Sequence, residues 1–175
     1  MSRLFGAATQ IGVVVKDMDE ALAYWTGTLG VGPFFRIDNL ENEYYFQGED
    51  QLLPPPMSIA LGNWGDVQIE LIWPRGESAS TWHQFLKQRG GGVHHISVWR
   101  RDFDEAVALG SAHGLKVEAR GKIQNGVRYI YFQADRPDQP LLEISELTDT
   151  TAAAFDFIRQ ASVDWDGRDP VRTFG

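Results

Sequence analysis

The chain has 175 residues, of which 43% are hydrophobic and 12% aromatic, so it can bury a core of its own. Its net charge of −8 disfavours nucleic acid and anionic membranes as partners, because both bind basic surfaces. It has no cysteine, which excludes disulfides, thiol nucleophiles and cysteine-ligated zinc. Neither a signal-peptide core near Met1 nor an apolar run of membrane-spanning length is present, so we expect a cytoplasmic protein.

The first half of the chain predicts the order β-α-β-β-β. Ile11 to Val15 is rich in β-branched residues and predicts a strand. A helix is expected to begin at Asp17 or Asp19 and to run to about Leu29, where Gly30 ends it. Three more strands are predicted over 43–47, 57–61 and 67–73, with a proline-rich loop at 48–56 and a turn at 62–66.

The second half predicts the same order after a short linking helix over 80–88 and three glycines at 90–92. Its strands are expected over 94–99, 116–119, 128–134 and 141–147, and its helix over 104–112. The segment 135–140 predicts a turn. Thr148 or Asp149 is a cap for a C-terminal helix that runs to about Gln160, and an extended tail follows Ser162.

The two halves repeat one another in sequence. Lys16 to Tyr24 returns as Arg101 to Leu109 with five of nine positions identical, and the offset of 102 − 17 = 85 also pairs Gln10 with His95. We therefore predict an α+β fold in which two tandem βαβββ modules form a cup-shaped mixed sheet around a central site. The expected boundaries are 1–78 for the first module, 79–92 for the linking helix and joint, 93–147 for the second module and 148–175 for the C-terminal helix and tail.

In three of the predicted strands a polar side chain stands on the face that opposes the more apolar one, and in the fourth the pattern is less clean because Leu141 and Leu147 share the face of Glu143. Side chains alternate between the two faces of a strand, so curved sheets of the same hand would bring Gln10, Glu70, His95 and Glu143 together. One imidazole, two carboxylates and one amide suit a divalent metal ion such as Zn, Ni, Co, Mn or Fe. A single glutamate of this kind is more often a surface residue, but four in register predict a metal site with a position open for substrate.

Four segments carry a resemblance to a known family: 10–17, 67–72, 92–98 and 141–144. In this order, with the repeat between them, they resemble the vicinal oxygen chelate superfamily, the glyoxalase fold, over nearly the whole chain up to about residue 147. The resemblance implies paired βαβββ modules around a metal that is held by one residue from the first and last strand of each module. Those residues are here Gln10, Glu70, His95 and Glu143.

The identity of these four residues separates members of that superfamily. Extradiol dioxygenases use two histidines and one glutamate, so Gln10, which stands where the first histidine would, disfavours ring cleavage. Methylmalonyl-CoA epimerases are similar around Phe85 to His95 but usually begin with histidine. Glyoxalase I enzymes of the eukaryotic type use Gln, Glu, His and Glu in this order, and their ligand set is the most similar.

The resemblance implies a metal-dependent lyase, isomerase or epimerase. Such an enzyme abstracts a proton α to a carbonyl through a metal-bound enediolate, with Glu143 as the base and Glu70 as its counterpart. The alternative is a binding protein of the same fold that sequesters a small molecule, as bleomycin-resistance relatives do.

The substrate is expected to be a small molecule, bulky or aromatic, and the protein a homodimer. Trp99 shares a strand face with His95 and is a candidate for lining the substrate pocket. Arg128 is a candidate for binding an acidic group, although its spacing does not distinguish it from a surface arginine. His94 is expected to be a hydrogen-bonded core residue on the opposite face, and His83 and His113 to be exposed on helices.

Overall fold

The strands of both halves form one ten-stranded mixed sheet in the computed structural model, which describes residues 1–48, 55–123, 125–133, 136 and 138–174. The strands are β1 (Gln10–Val14), β2 (Phe34–Ile37), β3 (Asn42–Phe46), β4 (Met57–Trp64), β5 (Val67–Pro74), β6 (Gly92–Arg100), β7 (Val117–Ile123), β8 (Arg128–Phe132), β9 (Leu141–Glu146) and β10 (Val171–Thr173). The helices are α1 (Met18–Ala23), which a π-helical turn (Tyr24–Thr28) continues, α2 (Thr81–Arg89), α3 (Phe103–Ala112) and α4 (Asp149–Ser162).

The centre of the sheet is built from the first and last strand of each half. The strand order is β10-β2-β4-β5-β1-β6-β9-β8-β7-β3. β1 pairs in parallel with β5, β6 pairs in parallel with β9, and the two halves meet where β1 and β6 run antiparallel. The four strands predicted to carry metal ligands are thus neighbours, and the predicted α+β class is confirmed.

Capping residues set the ends of the helices as the sequence predicts. The Asp17 carboxylate accepts a hydrogen bond from the Glu20 backbone N–H at 2.9 Å, and α1 follows. Thr148 and Thr151 satisfy each other's backbone N–H groups in a capping box at the start of α4. Gly90, with φ of 76°, ends α2 in a left-handed conformation that costs glycine little. Each of the two N-terminal caps is worth about 1 kcal/mol.

Three strands differ from the sequence expectation. β2 takes the place that was predicted for the strand over 43–47, and that segment, as β3, crosses to pair with β7 at the far edge of the second half. The tail contributes β10, which pairs in parallel with β2. These pairings depend on contacts between distant segments, which local propensity does not encode. Three predictions fall partly outside the described residues. They are the loop at 48–56, the end of the strand over 128–134 and the turn at 135–140.

The two faces of the sheet are covered differently. α1 packs one cluster, with Met18, Leu22 and Phe34, on the outer face, and α3 packs a second cluster, with Phe103 and Phe132. A third cluster lies on the inner face, where α2 contributes Trp82 and α4 contributes Ile158. The inner face is therefore the concave one that carries the site, and α4 lies over it. No helix among the described residues has the length and apolar character that crossing a bilayer requires.

Candidate metal centre and cavity

Two neighbouring rows of the sheet position the predicted site residues. Gly12 of β1 stands in register with Glu70 on one side and His95 on the other. In the next row, Ser97 of β6 stands between Gln10 and Glu143. Because alternate residues of a strand share a face, both rows point to the concave side.

Glu70, His95 and Glu143 come together in one cluster. His95 Nε2 lies 2.9 Å from Glu143 Oε2 and 3.5 Å from Glu70 Oε2, and one donor atom of each residue lies within 4.8 Å of the others. His95 is fully buried, and 15% of the Glu70 side chain is exposed. Gln10 is buried in the wall of the same cavity, where its Nε2 donates to Gln68 Oε1 at 2.9 Å.

The donor atoms of this cluster suit a metal ion. His95 Nε2 and Glu143 Oε2 are close, but neither has a hydrogen-bond partner of acceptable geometry among the described residues. Ligands about 2.1 Å from an ion stand about 3.0 Å apart at right angles and about 3.4 Å apart at the tetrahedral angle. The observed separations of 2.9 and 3.5 Å match these values. The cluster therefore fits a divalent cation of the kind that imidazole and carboxylate bind.

Gly12 is a site residue that the sequence reasoning did not identify. A Cβ at this position would lie 1.9 Å from His95 Cε1 and 2.3 Å from His95 Nε2. The imidazole consequently lies directly over the Gly12 backbone, in space that any side chain would occupy. Its signal in the sequence is a glycine inside an otherwise β-branched strand, which often marks a close approach.

A β-bulge brings His94 against His95. The register between β1 and β6 shifts so that Gly12 faces His95 while Val13 faces Val93, which leaves His94 as the extra residue. His94 Nδ1 lies 3.1 Å from His95 Nδ1, and His94 Nε2 lies 3.2 Å from Thr81 Oγ1. His94 is buried, as predicted, but the bulge turns it toward the site, which strict alternation does not foresee.

One arrangement of this contact gives His95 the tautomer that suits a metal ion. Burial, together with the neighbouring His95, holds the pKa of His94 well below its ordinary value, so His94 stays neutral. When His94 donates from Nε2 to Thr81, its Nδ1 accepts a hydrogen bond from His95 Nδ1. The lone pair of a neutral His95 is then on Nε2, toward the two carboxylates. A partner of this type orients a metal-binding histidine.

The charges of the cluster act on one another strongly. Burial alone would lower the pKa of His95, but Glu143 and Glu70 outweigh it and raise that pKa to about 9. Burial is also the largest influence on Glu70 and raises its pKa against the effect of His95. For Glu143, burial acts in the same direction, but His95, Ser145 and Tyr131 hold its pKa below the ordinary value. The pKa values of the two glutamates are thus driven apart, and Glu143 is the more readily ionised of the two.

Glu143 accepts a hydrogen bond through one oxygen and faces His95 with the other. Ser145 Oγ donates to Glu143 Oε1, and Tyr131 stands opposite Glu143 in the β8–β9 pairing. Glu143 Oε2 remains without a hydrogen-bond partner among the described residues. The buried hydroxyl of Ser97, in the same row, also lacks a partner in the described part of the chain.

A cavity of about 300 Å³ lies over the cluster. Gln10, Glu70 and Glu143 line it, and His95 stands directly behind the two carboxylates. Trp99 lines the cavity too, and its ring stacks on Phe155 of α4 with 4.2 Å between centroids.

Arg128, the second candidate for substrate binding, is not brought to this cavity. Its guanidinium donates to Asp104 and Glu146 and lies over the ring of Phe103 on the α3 side of the sheet. These contacts use the side chain in a surface ion-pair network.

Comparison with known proteins gives a family match and a set of similar folds. The family described as "Glyoxalase/Bleomycin resistance protein/Dioxygenase superfamily" matches residues 9–132, a range that includes Gln10, Glu70 and His95 but ends before Glu143. No curated protein matches the chain.

The similar solved structures share the fold at low sequence identity. A hypothetical protein from Bacillus halodurans C-125 is 20% identical, with a TM-score of 0.60, over 82% of this chain and 95% of that one. Methylmalonyl-CoA epimerase from Mycobacterium tuberculosis is 18% identical, with a TM-score of 0.62, over 87% of this chain and 95% of that one. A variant of the Streptomyces coelicolor methylmalonyl-CoA epimerase, in complex with 2-nitronate-propionyl-CoA, is 18% identical, with a TM-score of 0.58, over 83% and 96%.

Proposed function

The chain belongs to the Glyoxalase/Bleomycin resistance protein/Dioxygenase superfamily, and we propose that it is a divalent-metal-dependent lyase, isomerase or epimerase. Its reaction would move a proton on a carbon next to a carbonyl group. The observation that carries this proposal is the placement of His95 Nε2 between two carboxylates, with no hydrogen-bond partner among the described residues, at the base of a cavity.

Gln10, Glu70, His95 and Glu143 would hold the ion. When bound, a divalent ion polarises a carbonyl oxygen and makes the neighbouring C–H more acidic. The His94 contact is compatible with the same assignment, because the lone pair of neutral His95 is on Nε2 when His94 donates to Thr81.

Glu143 would act as the base. Its lowered pKa keeps the Glu143 carboxylate ionised at neutral pH, so this carboxylate would accept the proton, with Ser145 bonded to its Oε1. Glu70 faces the same cavity with a raised pKa and would serve as the counterpart that returns a proton. Pairs of carboxylates whose pKa values are driven apart in this way divide the acid and base roles.

The apolar cavity also suits the second candidate function, a binding protein that sequesters a small molecule without reaction. Metal content and proton exchange distinguish the two. The test begins with protein that has been incubated with Zn²⁺, Ni²⁺, Co²⁺ or Mn²⁺ and freed of excess ion. It is then assayed in D₂O by NMR against α-hydroxyketones, hemithioacetals and acyl-CoA thioesters.

We expect about one equivalent of metal. We also expect metal-dependent deuterium incorporation that Glu143→Gln abolishes without loss of fold, because an amide does not accept the proton. Glu105→Gln, at an exposed position of α3, is the control and should exchange as the wild type does. Less than about a tenth of an equivalent of metal, with no gain in thermal stability, would leave the binding protein as the function. Undiminished exchange in Glu143→Gln would remove Glu143 as the base.

A further inference from the structure

The wall of the cavity away from the cluster is apolar. Ile37, Leu40, Met57, Ile59, Leu61 and Ile72 contribute to it from the first half of the chain. Glu70, Glu143 and Glu146 are the charged side chains among the described lining residues, and none of those lining residues is basic. Burial of an anion against such a wall would leave its charge unpaired beside carboxylates, which costs free energy.

Two uncharged polar groups in this wall have no partner of their own. The side-chain amide of Asn42 and the hydroxyl of Tyr129 are buried, and neither has a hydrogen-bond partner among the described residues. Both residues line the cavity. The polar residues of this part of the wall are therefore uncharged and supply no cation for an anionic ligand.

The C-terminal segment covers this wall and is fixed at both ends. α4 lines the cavity with Ala154, Phe155 and Ile158, and Ile158 is fully buried. At the far end β10 pairs with β2, and the Phe34 backbone N–H donates to the Pro170 carbonyl at 2.9 Å. The segment begins after the range that the family match covers, so the cover is a feature of this chain beyond that match.

We propose that the cavity takes an uncharged carbonyl compound whose apolar part lies beneath α4, and not a substrate on a polyanionic carrier such as coenzyme A. The carbonyl end of this proposal rests on the function proposed above. The apolar wall, the absence of a basic residue among the described lining residues and the cover by α4 carry the remainder, and these do not depend on a metal.

Three hydroxamates with the same chelating head test the proposal on Co²⁺-loaded protein. Acetohydroxamate has a short tail, octanohydroxamate a long apolar tail, and suberic acid monohydroxamate a long tail that ends in a carboxylate. Binding is followed by the visible spectrum of Co²⁺ and by thermal shift. Octanohydroxamate should bind at least about a hundredfold more tightly than acetohydroxamate, because each buried methylene adds up to about a fourfold gain. The charged tail should lose most of that gain.

A matched pair of variants on α4 sharpens the test. Ala154 lines the cavity, whereas the neighbouring Ala153 is exposed. Ala154→Arg should weaken octanohydroxamate and strengthen suberic acid monohydroxamate, since it supplies the missing cation. Ala153→Arg should bind both as the wild type does. The series on the wild-type protein stands by itself if Ala154→Arg does not fold.

Two results would overturn the proposal: equal affinity for the three hydroxamates, or binding of octanoyl-CoA as tight as that of octanohydroxamate. If the protein takes up no metal, the proposed function fails, but the cavity is then tested with acetamide, octanamide and suberamic acid. Preference for octanamide would still support the apolar site. Equal binding of the three amides would overturn the proposal independently of the metal.

Discussion

At the scale of single residues, the properties of the site follow from His95. Its imidazole is fully buried between two carboxylates, with neutral His94 behind it. Burial disfavours a charged imidazole, but Glu143 and Glu70 more than compensate and raise its pKa to about 9. In the metal-free protein His95 is therefore protonated at neutral pH, and a cation that binds Nε2 must displace that proton.

A pH dependence of stability follows for the metal-free protein. The pKa of His95 in the folded state lies above the unfolded value of about 6.5, so its contribution is complete below that pH. The contribution is lost as the pH rises from about 6.5 through about 9. The melting temperature in EDTA should fall over this window, and less steeply in His95→Gln than in the wild type. The exposed His113→Gln should follow the wild type, and identical profiles for all three proteins would contradict the account.

The raised pKa of His95 also predicts how metal affinity changes with pH. Apparent metal affinity should rise with pH toward about 9, because fewer protons then compete for His95 Nε2. This trend is opposite to the loss of stability in EDTA, so the two measurements on one protein check each other.

At the scale of elements, the antiparallel pairing of β1 with β6 positions the site. Gly12 leaves room for the His95 ring, and the bulge at His94 turns a second imidazole toward the first. Both features lie in the antiparallel pair that joins the two halves of the chain. The geometry of the site therefore depends on this one pairing as much as on the side chains it carries.

Gly12→Ala tests this dependence. The added methyl group would overlap the His95 ring, so the imidazole must move away from the carboxylates. We expect metal affinity to fall by about 10-fold to 100-fold, the usual loss when a group that orients a metal ligand is removed. Titration with Zn²⁺ measures this affinity. Gly27→Ala is the control, because its Cβ would meet no atom within 4 Å. Unchanged affinity in Gly12→Ala would show that the ring does not need this space.

The sequence predicted the elements that depend on local signals. The caps at Asp17 and Thr148 are local, and the structure has them at the expected ends. The bulge at His94 and the move of β3 to the edge of the second half were not predicted, because both depend on tertiary pairing.

At the scale of the whole molecule, the internal repeat determines which residues meet. β1 and β6 are the equivalent strands of the two copies, and their antiparallel contact puts Gln10 and His95 on the same concave surface. The sequence predicted that Gln10, Glu70, His95 and Glu143 converge, and the structure brings the last three together with Gln10 in the wall of the same cavity. Their role as metal ligands stays a prediction. The repeat did not predict the cover by α4 and β10, which has no counterpart in it. The expected homodimer and the cytoplasmic location stay predictions.

We propose that Glu70, His95 and Glu143 hold one divalent cation between them. Crystals of the protein grown with Co²⁺ should give one strong anomalous peak at the cobalt edge, about 2.0–2.2 Å from His95 Nε2 and from oxygens of Glu70 and Glu143. Crystals of His95→Ala grown in the same way should lose the peak. A wild-type map without a peak between these three side chains, or with its peak elsewhere, would contradict the account.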